Sequence, residues 1–230
     1  MDILVQVFQN AIQLLFSFDP ELMGIVGLTL RVTGFALLFA MLIGIPIGVG
    51  LGLVGRIPVA GCLLPLIYTG MGLPPVVVGL WVYLLLSNQG PLGSLGWLFT
   101  PSAMVLAQTI IALPLVVGLT LTAVRAADPM LHLQVRSLGA TRVQLAWTVL
   151  RETRLGLMAA IVAAFGSIIS EVGAVMLVGG NIQGETRVLT TAIVLETRRG
   201  NFALALALGI ILLGLAFVTN LVLYELQKRD

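Results

Sequence analysis

Between Leu22 and Val54 the chain carries a single charged residue, Arg31. A stretch that long and that apolar belongs in a bilayer, whose hydrocarbon core of about 30 Å is crossed by about 20 apolar residues. The whole chain points the same way. Its 230 residues are 59% hydrophobic and only 10% charged, against roughly 25% charged in soluble domains, and its mean hydropathy is +1.10. So few charges cannot cover a water-exposed globule. The apolar runs are continuous rather than alternating, which excludes a transmembrane β-barrel. Helices remain as the spanning element because they satisfy their own backbone hydrogen bonds. The expected fold class is all-α, a polytopic membrane protein.

Five core spans follow from the pattern. The first covers 22–54 and starts at Asp19-Pro20-Glu21, which combines a capping carboxylate, a proline at the first helical position and an acid in the first turn. Pro46 predicts a kink in it. Gly44, Gly48 and Gly52 predict a smooth face for close helix contact. Arg56 and Pro58 close that span. The second covers 59–87, interrupted by Gly70, Gly72 and Pro74-Pro75. A loop without charge follows to Pro101, with Trp97 and Phe99 suited to an interface. The third, fourth and fifth spans cover 102–124, 156–178 and 202–224, with a polar stretch from Asn181 to Asn201 between the last two.

Ahead of these, residues 3–18 are apolar except for a stripe of Gln6, Gln9, Asn10, Gln13 and Ser17. This is a helix lying in the interface or packed on other spans, or else a short extra span. It has no early Lys or Arg and does not resemble a cleavable signal. The domain organisation expected is an amphipathic segment over 1–19 and one transmembrane domain over 20–230.

Basic residues set the orientation. Arg56, Arg125, Arg136, Arg142, Arg151, Arg154, Lys228 and Arg229 fall on one side, and Arg187, Arg198 and Arg199 on the other. The richer side is cytoplasmic, which places the C-terminus and residues 125–155 inside. Other functions are disfavoured. The net charge of +2 is small and the basic residues are scattered, so no nucleic-acid partner is expected. One cysteine, Cys62, and one histidine, His132, make neither a disulfide nor a Cys/His metal site. His132 suits a surface or docking role better than a catalytic one. No G-x-S-x-G elbow is present. The only lysine, Lys228, has no glycine-rich loop before it, so the chain lacks the phosphate-binding loop of an ATPase.

The cytoplasmic segment 128–152 has a shape of its own. Asp128-Pro129 starts a short helix, Gly139 supplies a left-handed turn to end it, and Thr141 with Gln144 forms a capping box that starts another. The resulting helix–Gly–helix hairpin shows both apolar residues (Leu131, Leu133, Val135, Leu138) and basic ones (Arg136, Arg142). Such a loop either docks on a partner or is a solvated basic loop that only sets topology.

The run from Leu133 to Glu152, LQVRSLGATRVQLAWTVLRE, resembles the cytoplasmic coupling motif of ABC-importer permeases. Gly139 and Ala140 fall on the motif's glycine and alanine, and Val149 on its isoleucine. Leu133, Gln134 and Val135 stand where Glu-Ala-Ala is usual, and Arg151-Glu152 where Leu-Pro is usual. Residues 169–197, ISEVGAVMLVGGNIQGETRVLTTAIVLET, resemble the matching region of oxyanion permeases for molybdate, sulfate and tungstate, the tungstate type above all. The resemblance implies a type I (MetI-like) importer fold and a homodimer in the prokaryotic cytoplasmic membrane. It also implies a separate ATPase dimer using ATP and Mg, and an extracytoplasmic oxyanion-binding protein; this chain itself would hold no cofactor. Leu133, Arg136, Ser137, Leu138, Gly139, Ala140, Thr141 and Arg142 would then contact the ATPase.

Two further regions are candidates for the anion's path. Glu171, flanked by Ser167, Ser170 and Gly173, is an ionisable group expected inside the fourth span. It reads as a gate element or as a structural polar contact, not as an anion ligand, since a carboxylate repels an oxyanion. In the outer stretch, Thr186 is expected to cap a helix beginning near Arg187. With Asn181, Thr190 and Thr191 it could contact the anion. The alternatives are docking of the binding protein and internal Arg–Glu pairing.

Overall fold

The computed structural model describes residues 6–7, 9–13, 19–54 and 60–228. The amphipathic reading of 3–18 falls partly outside these residues, as do Arg56, Pro58, Arg229 and Asp230. Among the described residues every regular element is helical.

Helix α1 (Pro20–Leu53) starts as expected: the Asp19 carboxylate accepts the N–H groups of Glu21 (2.8 Å) and Leu22 (3.3 Å). It runs as one helix through Pro46. Its 34 residues rise roughly 51 Å, more than a bilayer core requires. Helix α2 (Ala60–Met71) and helix α3 (Pro75–Leu86) are bent by 99° at the Gly72–Pro74 break. The second span is therefore two helices at about a right angle. Pro75 is tolerated because it takes a first-turn position whose N–H would be unpaired anyway.

A short 3₁₀ turn (Gly93–Leu95) interrupts the outer loop before α4 (Pro101–Arg125). Phe99 has φ +61, donates its N–H to Val178 O at 2.9 Å and meets Tyr83 edge-on, so it anchors the loop to the bundle. Helices α5 (Pro129–Ser137) and α6 (Arg142–Glu152) follow, then α7 (Arg154–Ile169), α8 (Gly173–Gly179), α9 (Leu189–Arg198) and α10 (Phe202–Lys228). The fourth span, expected to be continuous over 156–178, is broken between α7 and α8. α6 and α7 also meet at a 74° bend. Among the described residues, α1, α4 and α10 are each long and apolar enough to cross a membrane, and the bent pairs raise the count to as many as five.

Helix α4 is the centre of the bundle and packs on α1, α2, α3, α7 and α8. The glycine face of α1 meets it. A Cβ at Gly44 would lie 2.9 Å from Val116 Cγ1, one at Gly48 2.8 Å from Val117 O, and one at Gly52 2.5 Å from Val124 Cγ1. Only glycine lets the two backbones approach so closely. The main core joins Val32, Ala36 and Ala40 of α1 to Met104 and Val116 of α4, Ile168 of α7 and Val175 of α8.

Candidate functional site

Three sites lie along the bundle: the hairpin at the inner end, the break in the fourth span, and the outer segment. The hairpin has the local geometry its residues predict. Asp128 accepts the Met130 N–H at 2.8 Å. Gly139 sits at φ +78, and the Ala140 N–H returns to Val135 O at 3.3 Å, tying off the end of α5. Thr141 and Gln144 cap each other reciprocally, Thr141 N–H to Gln144 Oε1 at 2.8 Å and Gln144 N–H to Thr141 Oγ1 at 3.3 Å. These bonds cap the two short helices on either side of the Gly139 turn.

One face of this hairpin is docked. Leu145 and Val149 are buried with Val49, Val124 and Ala127, and Leu131 and Val135 pack on that cluster. The opposite face is bare. Leu138 is 86% exposed, Val143 78% and Trp147 70%, with Leu133 beside them. Arg136 and Arg142 stand over a groove of ≈ 810 Å³ between α6 and the inner end of α1, floored by Pro46, Val49 and Leu53. Leu133, Arg136, Ser137, Leu138, Gly139, Thr141 and Arg142 all reach solvent, and Ala140 does so in part. An exposed apolar patch rimmed by charge marks an interaction surface, for a protein or for the membrane. His132, expected at the surface, is half-buried, with Nε2 enclosed.

The break at 170–172 is built rather than frayed. A helix end leaves carbonyls unpaired, and here side chains take them. Ser170 Oγ donates to Gly166 O at 2.8 Å and Gln108 Nε2 to Ile168 O at 2.9 Å, while Thr190 Oγ1 donates to Glu171 O at 2.9 Å. Glu171 is half-buried, not inside a continuous helix, and its Oε1 accepts the Ala174 N–H at 2.9 Å to cap α8. Gly173 lets α3 approach: a Cβ there would lie 2.5 Å from Val76 Cγ2. Gln108, 4% exposed, is the polar residue at this break that sequence reasoning missed. Its signal was available, because it is the one amide in the apolar run of α4.

The outer segment departs most from expectation. Helix α9 begins at Leu189, so Thr186 does not cap it. Thr186 is wholly buried instead; its hydroxyl donates to Gly179 O and accepts the Ile182 N–H at 2.9 Å, closing the turn between them. Asn181 sits in that turn at φ +53. Arg187 lies 3.5 Å from the Glu21 carboxylate, to which Gln183 also donates at 2.7 Å. Thr191 Oγ1 accepts the Val188 N–H at 3.1 Å, and Leu189 N–H donates to Thr29 Oγ1 at 3.0 Å. Glu196, buried, accepts from Arg199 at 2.9 Å and Asn201 at 3.2 Å. The geometry thus favours internal Arg–Glu pairing; Arg187 Nε alone of that arginine's donors is enclosed and unpaired among the described residues.

Comparison with known proteins follows this geometry closely. Residues 44–229 match the family described as binding-protein-dependent transport system inner membrane component. The tungstate uptake system permease protein of Peptoclostridium acidaminophilum is 38% identical over 229 residues, covering 100% of both chains. A probable anion ABC transporter permease protein of Haloferax volcanii is 44% identical, over 86% of this chain and 88% of its own. The inward-facing MetNI methionine ABC transporter superposes with a TM-score of 0.72 over 92% of this chain and 99% of that one, at 18% identity. That likeness assigns the MetI-like type I importer fold.

Proposed function

Because the chain belongs to the family of binding-protein-dependent transport system inner membrane components, we propose that it is the translocation subunit of a tungstate importer in a prokaryotic cytoplasmic membrane. The coarser statement holds without the choice of anion. The chain is a multi-pass ABC-importer permease of the oxyanion type, itself not catalytic, that works with a separate ATPase and a substrate-binding protein. The observation that carries tungstate is the full-length 38% identity to a tungstate uptake permease. Molybdate and sulfate are the competing substrates.

In this reading a second copy completes the pathway, and the bare face of the hairpin docks in an ATPase that uses ATP and Mg. Arg136 and Arg142 supply polar contacts around Leu138 and Gly139. The hairpin connects to the pathway by one short rod: α6 turns into α7, and α7, 16 residues long, ends at Ser170 and Glu171. Closure of the ATPases displaces the hairpin, α7 carries the shift, and the break yields. Ser170, Glu171 and Gly173 form the gate element, with Gln108 and Thr190 holding it in the present arrangement. The outer segment engages the hydroxyls of Thr186, Thr190 and Thr191 internally and, with Asn181 and Arg187, presents a surface for the binding protein.

The test is uptake into proteoliposomes holding this chain, its ATPase and its binding protein. ATP-dependent tungstate uptake, outcompeting equimolar molybdate and sulfate, is expected. Preference for molybdate or sulfate reassigns the anion. Uptake by this chain alone without ATP rejects the importer in favour of a secondary carrier.

A further inference from the structure

Arg31 lies well inside the membrane-crossing helix α1, and the transport mechanism does not use it. A charged side chain at membrane depth costs roughly 2.5–3.5 kcal/mol on insertion scales and persists where a partner or an aqueous boundary offsets it. Here it is exposed, and no ion pair or hydrogen bond engages it among the described residues.

Its height follows from the packing of α1 on α4. Gly44, Gly48 and Gly52 lie against Val116, Thr120 and Val124 in constant register. Carried back along both helices, that register sets Arg31 beside Ser102 and Ala103, within a turn of the first residue of α4. Because α4 spans from the charge-free outer loop to Arg125, Arg31 stands near the outer lipid–water boundary. Trp97, the residue type that favours this boundary, is beside it.

Below Arg31 runs a groove of ≈ 660 Å³ between α1 and α4, lined by Phe35, Phe39, Ile43, Val105 and Leu106 under Arg31, Trp97 and Ser102. From Arg31 to Ile43 the helix rises roughly 18 Å, against about 15 Å for one leaflet of the hydrocarbon core. The Thr109 hydroxyl on this wall is already committed, donating to Val105 O at 2.7 Å. The groove also opens on the stripe of α4 that holds Ser102, Val105 and Thr109. Gln108 and the broken span lie on the other side, among the buried residues Met104, Ala107 and Ile111. A cation at headgroup height over an apolar trough one leaflet deep, turned away from the gate, fits a phospholipid and not the transported oxyanion.

We propose that this groove binds an anionic phospholipid of the outer leaflet, its phosphate on the Arg31 guanidinium and one acyl chain along Phe35, Phe39 and Ile43. The proposal rests on the membrane-spanning reading and not on which anion is carried.

The test uses the assembled transporter, purified in mild detergent with added phosphatidylglycerol or phosphatidylcholine and read by native mass spectrometry. The wild type is expected to retain phosphatidylglycerol over phosphatidylcholine. Arg31→Gln should retain it about ten-fold less, as loss of one charge-assisted pair implies, and Arg31→Lys should keep part of the preference. Equal retention by wild type and Arg31→Gln overturns the site. A raised KM for tungstate uptake in Arg31→Gln, with lipid retention unchanged, overturns it in favour of the anion path. A Phe39→Cys variant, in a Cys62→Ser background, that crosslinks to a second copy of the chain overturns it in favour of a subunit contact. Failure of tungstate uptake in every variant and the wild type would instead count against the assigned substrate, and leave the lipid readout intact.

Discussion

The hairpin at the inner end and the segment at the outer end are both polar interruptions between apolar spans, yet they treat their side chains in opposite ways. The hairpin satisfies its backbone locally, through Asp128, Thr141 and Gln144, and leaves Leu138, Val143 and Trp147 exposed. The outer segment turns its polar groups inward: Thr186, Thr190, Thr191 and Glu196 are all buried, and their bonds reach the break and the neighbouring turns. One region leaves an apolar face exposed; the other buries these four polar side chains. Change in the first should therefore strike function and spare stability, and change in the second should do the reverse.

The sharpest way to break this contrast is to charge the bare face. Leu138→Asp combined with Trp147→Asp removes no buried contact. Transport is expected to fall by more than about a hundred-fold, the order of losing one interface hot spot, while the melting temperature of the isolated subunit stays within about 2 °C of wild type, as surface changes allow. A matching fall in melting temperature would show that this face is part of the core.

Gly139→Val comes next. Nothing lies within 4 Å of a Cβ there, but φ is +78, so the cost is backbone strain of about 1–2 kcal/mol. Anions moved per ATP hydrolysed should drop about ten-fold with assembly intact. Unchanged stoichiometry would remove the turn from the coupling path.

At the outer end, Thr186→Val keeps the shape and removes two hydrogen bonds in a fully buried site. A loss of about 1–3 kcal/mol is expected, read as a shift in denaturant midpoint, with transport per folded subunit unchanged. A selective loss of transport would reopen direct anion contact. The smallest effect belongs to Arg199→Ala. Its side chain is 57% exposed, so its bond to Glu196 is worth no more than about 1 kcal/mol, and Asn201 remains to hold the carboxylate.

What the sequence revealed divides along the same line. The caps and turns of the hairpin and of the start of α1 have partners close in sequence and appear as expected, whereas Thr186, also bonded to a near neighbour, does not cap the helix expected of it. The glycine face of α1 was legible too, because a spacing of four has few other uses. Elements completed by distant partners were not. The break at Glu171 depends on Gln108, 60 residues away, and the start of α9 on Thr29, 160 residues away. A polar residue in an apolar run says that a partner exists, and only the fold says which one. The 99° bend between α2 and α3 shows the same limit, since Gly72 and Pro74 announced an interruption but not its angle.

The central claim is that residues 128–152 are gripped from the cytoplasmic side by a separate motor, and position 138 tests it most directly. A photoreactive residue at Leu138, activated in native membranes, should crosslink to an ATP-hydrolysing protein, and a cysteine there should resist a membrane-impermeant label added from outside. Labelling of position 138 from the external face, with no ATPase captured, would contradict the account.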